Sequence, residues 1–182
     1  MGEMTGFPLV LRQAKRGDPD ALSVLYRSVI PGVLRFLRAR EPGEADDLAS
    51  EVWLDVAVGL SIFDGDERGF RAWAFTIARR RLIDVRRRRQ RRPAIPMDAT
   101  DIETTGPLGN AENEAIERLS TDEAIDRIRG LPDDQAEVVL LRIVADLDIA
   151  TVAAIVGKRP GTVRVLQHRA LRHLAKEFQR KV

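Results

Sequence analysis

Residues 70–92 read FRAWAFTIARRRLIDVRRRRQRR. No proline or glycine interrupts them, and Phe75, Ala78, Leu82 and Val85 recur at helical spacing, drawing one apolar stripe. A second stripe carries Trp73, Ile77, Arg80 and Asp84, so an aromatic ring and an arginine share a face the core does not obviously need. Arg86 to Arg89, then Arg91 and Arg92, load the last turns with fixed positive charge. Like charges one turn apart destabilise a helix by roughly 0.2–0.5 kcal/mol per pair. A polyanion relieves that repulsion, and nucleic acid is well suited because each neutralised phosphate releases condensed counterion. Trp73 fits either a core position or a contact with an unpaired base. A solvated basic face over a core tryptophan is the plain alternative.

Upstream, Phe7 to Lys15 reads as a first helix ended by Gly17. Asp18-Pro19 begins a second, with an aspartate cap and proline at the first helical position. Leu22, Leu25, Tyr26 and Val29 carry its apolar face, Pro31-Gly32 predicts a kink or break, and Val33, Leu34 and Leu37 continue it to Arg40. Glu41-Pro42-Gly43 is a turn. The next helix, Glu44 to Leu60, starts with acids that its dipole favours and buries Leu48, Val52, Val56 and Leu60. Asp47, Ser50, Glu51 and Leu54 lie on an adjoining face, which dipole compensation and solvation alone can explain. Ser61 to Gly69 is a polar loop.

Downstream, Pro93 to Asn110 reads as a linker, broken by Pro93, Pro96, Pro107, Gly106 and Gly109 and dominated by acids from Asp98 through Glu117. Helical pattern resumes near Ala111. Leu131-Pro132-Asp133-Asp134 starts a helix with Ala136, Val139, Leu140, Ile143 and Val144 as its expected buried face. Asp148 caps a short helix, Ile149 to Val156, and Gly157 closes it. Pro160 opens a longer helix through Phe178, with Val163, Leu166, Ala170, Leu171 and Leu174 inward and Arg164, His168, Arg169 and Arg172 outward. Short helix, glycine turn and basic second helix make a helix-turn-helix, whose second helix enters a major groove. The fold class expected is all-α: two small helical domains joined by a flexible acidic linker, the C-terminal one a helix-turn-helix. The divisions are 1–92, 93–112 and 113–182.

The composition excludes several functions. With 182 residues, 44% hydrophobic and 32% charged, the chain has the balance of a soluble globular protein. Net charge is only +2, but basic residues crowd before the linker and acids within and after it. Without cysteine there is no disulfide or thiolate metal site. No apolar run approaches the ~20 residues of a membrane span, and no signal peptide is evident, so a cytoplasmic protein is expected. His168 and His173 stand five apart and do not share a helix face, so they are not a metal pair. No nucleophile elbow or phosphate loop is present. The expectation is a binding protein rather than an enzyme, with no cofactor.

In order, these parts resemble the bacterial extracytoplasmic-function sigma factors of the Sigma-70 family, across nearly the whole chain. RGDPDALSVLYRSVIPGVLRFL resembles the first segment of their promoter-melting domain. EADDLASEVWLDV resembles their clamp-binding motif, and residues 70–92 the helix that reads the minus-ten element. LPDDQAEVVLLR, DIATVAAIVG and GTVRVLQHRA resemble the second domain, which reads the minus-thirty-five element. The resemblance implies that Asp47, Leu48, Ser50, Glu51 and Leu54 serve the clamp coiled coil of core RNA polymerase. It implies minus-ten contacts from Phe63, Asp64, Trp73, Ile77, Arg80, Arg81 and Arg87, with Phe63 to Glu67 the loop that holds a flipped-out base. Arg159, Thr162, Arg164, Val165, His168, Arg169 and Arg172 would meet the minus-thirty-five element. Partners implied are core RNA polymerase, through its clamp and flap, promoter DNA and an anti-sigma factor. Ser50 stands where the family has glutamine, Arg80 where it has asparagine, Val165-Leu166 where it has Ser-Arg, and Thr151 where it has glutamate. Promoter sequence therefore does not carry over. The alternative readings are a stand-alone helix-turn-helix regulator, and an adaptor whose basic helix engages an acidic partner.

Overall fold

The Asp18 carboxylate accepts the Ala21 N–H at 2.9 Å, with Pro19 next in the chain, and this local pairing starts a helix of 22 residues. The computed structural model describes residues 6–91 and 124–179. In the first block α1 (Phe7–Lys15) leads to α2 (Pro19–Arg40), and a 3-10 turn (Pro42–Glu44) leads to α3 (Ala45–Gly59) and α4 (Glu67–Arg91). In the second block α5 (residues 124–129) precedes α6 (Asp133–Ile143), α7 (Ile149–Val156) and α8 (Pro160–Gln179). The described residues are all-α, as expected. The expected acidic linker, 93–112, and the helix expected to resume near Ala111 lie outside the described residues, as do both boundaries of the linker.

α2 runs through Pro31 as one helix, so Pro31-Gly32 does not break it. Pro31 faces solvent, while Ile30, Gly32 and Val33 are buried. A side chain on Gly32 would meet the Phe75 ring at 3.3 Å, so α2 and α4 approach closely there. Packing on α4 holds the helix across the hydrogen bond that proline lacks. The core of this half joins Leu25, Phe36, Leu37, Leu48, Phe70, Phe75 and Leu82, all almost fully buried. Phe36 and Phe75 meet edge to face at 5.8 Å.

In the second half Asp148 accepts the Thr151 N–H at 2.8 Å, and Gly157 ends α7 at φ 68°, both as the residue types require. The Thr151 N–H bond holds the Asp148 carboxyl below its ordinary range. A depressed carboxyl contributes stability above its unfolded pKa and loses it as pH falls through the folded one. Asp148→Ala should therefore cost about 1 kcal/mol at neutral pH, and the gap to wild type should narrow in acid. Denaturant unfolding at the two pH values measures it.

Three expected core residues lie at the surface instead, the first being Tyr26, 42% exposed with its ring edge-on to Trp53 at 5.1 Å. Ile143 is 61% exposed and Leu171 45% exposed. α6 is covered on nearly all sides, with Val138 and Leu141 buried as fully as Ala136 and Leu140. A helix enclosed this way does not bury one stripe, so reading a single face misassigned its last turn. Among the described side chains of α8 only Val163 and Ala170 are fully buried, and Leu171 sits one position past that row.

The halves pack together through charge. Asp133, on the first turn of α6, meets Arg40 at 3.2 Å and Arg86 at 3.1 Å. Glu137 takes Arg79 at 3.0 Å, and Arg129 donates to the Arg38 carbonyl at 2.7 Å. The Arg40 side chain is 6% exposed, and burial, followed by the nearby Arg86 charge, lowers its pKa.

Candidate nucleic-acid interface

α4 has four working sides. Its back, Phe70, Ala74, Phe75, Ala78, Leu82 and Val85, is core. One flank faces α6, where Arg79 meets Glu137 and Arg86 meets Asp133. The other faces α3, where Arg81 grips Asp55 through two bonds of 2.7 and 2.6 Å and Glu51 at 3.1 Å. The front carries Trp73, Ile77, Arg80, Asp84, Arg87 and Arg91, of which Arg80, Arg87 and Arg91 are exposed. Arg88 is exposed beside them.

The arginine run is therefore sorted. Arg86 also donates to the Arg40 carbonyl, and Arg89 pairs with Glu41 and, at 2.6 Å, with Glu44. Acids of the chain itself relieve part of the repulsion that the sequence reading assigned to a polyanion. What remains open toward solvent is the stripe of Arg80, Arg87 and Arg91. Ile155 of α7 borders the groove that holds Arg80, Ile83, Asp84 and Arg87.

Phe63, from the loop before α4, stacks on Trp73 with centroids 5.0 Å apart and planes 19° from parallel. Both rings are half-buried, and Phe70 closes the cluster from below. Asp64 is exposed, and Asp66 accepts the Gly69 N–H at 2.7 Å, tying the loop to the helix start. The sequence reading missed Gly59: a Cβ there would sit 2.7 Å from the Trp73 ring. Gly59→Ala gains up to about 1 kcal/mol of helix propensity but forces the indole aside, an overpacking cost of about 1–3 kcal/mol. The expected result is a net loss of stability with a shifted tryptophan emission spectrum.

On α3, Asp47 and Ser50 are exposed and Glu51 is half-buried. The Ser50 hydroxyl donates to the Asp46 carbonyl at 3.0 Å. Leu48 is 2% exposed and supports this face from the core. Leu54 is 63% exposed and continues into Val58 at 81% and Ile62 at 86%. The sequence reading did not single out those last two, though their spacing off the buried row is its own signal.

In the second half Val152, Ala153 and Val156 of α7 pack with Val163 of α8. Arg159, Thr162, Arg164, His168, Arg169 and Arg172 are all exposed, and Val165 is 47% exposed. Arg164, His168 and Arg172 follow one another turn by turn on the outer face, as the spacing predicts. Lys158, in the turn, pairs with Asp134 at 2.9 Å.

Comparison with known proteins agrees with this layout. The family Sigma-70 region 2 matches residues 25–92, and Sigma-70, region 4 matches residues 121–174. The ECF RNA polymerase sigma factor ShbA of Streptomyces griseus is 34% identical, over 94% of this chain and 95% of its own length. The ECF RNA polymerase sigma factor BldN of Streptomyces coelicolor is 32% identical over 92% of this chain, which spans 64% of BldN. Among solved structures, CnrH in complex with the cytosolic domain of CnrY has a similar fold, with a TM-score of 0.65 at 20% identity over 96% of this chain and 97% of that one. Among the described residues no helix is long and apolar enough to cross a membrane.

Proposed function

This chain belongs to the extracytoplasmic-function RNA polymerase sigma factors, alternative-sigma initiation factors of transcription, and we propose how its surfaces divide that work. Residues 1–92 dock on the clamp coiled coil of core RNA polymerase and open the minus-ten element. Residues 113–182 read the minus-thirty-five element next to the polymerase flap, and 93–112 tether the two. The docking face is Asp47, Ser50, Glu51 and Leu54, with Leu48 beneath it. Trp73, Ile77, Arg80 and Arg87 meet the opened strand, with Phe63 and Asp64 at its edge; Arg81, expected beside them, is instead engaged by Glu51 and Asp55 of α3. Arg159, Thr162, Arg164, Val165, His168, Arg169 and Arg172 lie on the major-groove side.

The observation that carries this reading is the sorting of charge on α4: Arg79, Arg81, Arg86 and Arg89 are met by acids of the chain, while Arg80, Arg87 and Arg91 line one open stripe. The role is binding rather than catalysis, in the cytoplasm where polymerase and promoter are, and an anti-sigma factor is the regulating partner.

Promoter binding by reconstituted holoenzyme tests these assignments. Arg164→Ala or Arg169→Ala should each cost about 1–3 kcal/mol on the cognate minus-thirty-five sequence and relax specificity there. Arg87→Ala should weaken all promoters alike and reduce the salt dependence by about one ion. The free chain should bind duplex promoter poorly. Tight, specific binding without polymerase would favour a stand-alone regulator.

A further inference from the structure

Arg80 and Arg81 are neighbours in sequence but belong to different surfaces. Arg80 lies on the open stripe. Arg81 turns toward α3 and donates three hydrogen bonds to carboxylates: Nε to Asp55 Oδ2, Nη2 to Asp55 Oδ1 and Nη1 to Glu51 Oε2. Glu51 and Asp55 are one turn apart on α3, where two like charges repel. One planar guanidinium bridging both removes that repulsion and fixes the two carboxylates relative to each other. The three side chains are 35–43% exposed, so the clasp borders the docking face instead of lying in the core.

We propose that Arg81 is a positioning residue of the polymerase-docking face, holding Glu51 and Asp55 in place through its bridge from α4, and that it makes no promoter contact. The inference rests on the sigma-factor reading above. The Asp55 hydrogen bonds raise the Arg81 pKa further, so the guanidinium stays charged at any physiological pH.

The test measures two affinities on the full chain: for bacterial core RNA polymerase, and, with core saturating, for forked promoter DNA with an unpaired minus-ten strand. Arg81→Ala should weaken core binding roughly fivefold, the upper end for an exposed ion pair, and leave DNA binding by the saturated holoenzyme unchanged. Arg81→Lys should recover only part, because lysine lacks the bidentate fork. The exchange Asp55→Arg with Arg81→Asp should restore core binding, since Arg at 55 can bridge Glu51 and Asp at 81. Thermal melting of each variant shows whether it folds, and the exchange separates position from stability. Unchanged core affinity in Arg81→Ala, weakened DNA binding at saturating core, or an exchange that folds but restores nothing would each overturn the proposal. A wild-type chain that does not bind core overturns the sigma assignments as well.

Discussion

Phe75→Ala should lower the stability of the first helical unit by about 3–5 kcal/mol, the usual cost of emptying a buried phenylalanine site. Phe75 is 1% exposed, meets Phe36 edge to face, and touches α2 where Gly32 leaves no room for collapse. The neighbours are ring and backbone atoms of two packed helices, so the cavity stays open instead of closing. Against a domain stability of about 5–15 kcal/mol, the loss should appear in urea melts as a midpoint shift with little change in slope. A loss below about 1 kcal/mol would mean that α2 and α4 are not held together as described.

The second large effect is functional. Asp47→Arg with Glu51→Arg should reduce core-polymerase affinity roughly a hundredfold or more, because charge reversal puts like charges opposite each other across a desolvated contact. Glu51 also meets Arg81 at 3.1 Å, so reversing it breaks the clasp as well. Asp47 is exposed and has no such tie among the described residues, so Asp47→Arg alone should account for most of the loss if the face docks directly. Fluorescence titration of labelled chain with core polymerase reads both variants, and unfolding curves matching wild type would rule out misfolding.

Much of this architecture was legible because its signals are local. Asp18-Pro19, Asp148 and Gly157 mark helix ends through bonds three or four residues away, and the structure has each where the residue type demands. The apolar row Phe75, Ala78, Leu82 and Val85 is buried in full, as its spacing predicted. Pro31 does not break α2, because the penalty for proline in a helix is local while its compensation, the packing of Gly32 on Phe75, is not. Ile143 misled because α6 is enclosed and its periodicity carries little directional information.

The candidate surfaces were legible in outline. Exposed Arg164, His168 and Arg172 follow from helical spacing alone. Which arginines of α4 stay open did not, because the acids that take Arg79 and Arg86 lie 58 and 47 residues away in the chain. Arg81 belongs to the same class: only the fold sets it between Glu51 and Asp55. Gly59 carries no signal of its own in the sequence, and only the fold places Trp73 against it.

Run-off transcription with bacterial core RNA polymerase, with and without this protein, on promoter-bearing DNA from its own genome tests the central claim most directly. The account predicts discrete transcripts that require the protein and disappear with Asp47→Arg/Glu51→Arg. Failure of the wild-type chain to co-migrate with core polymerase, together with no dependent transcript, would contradict it.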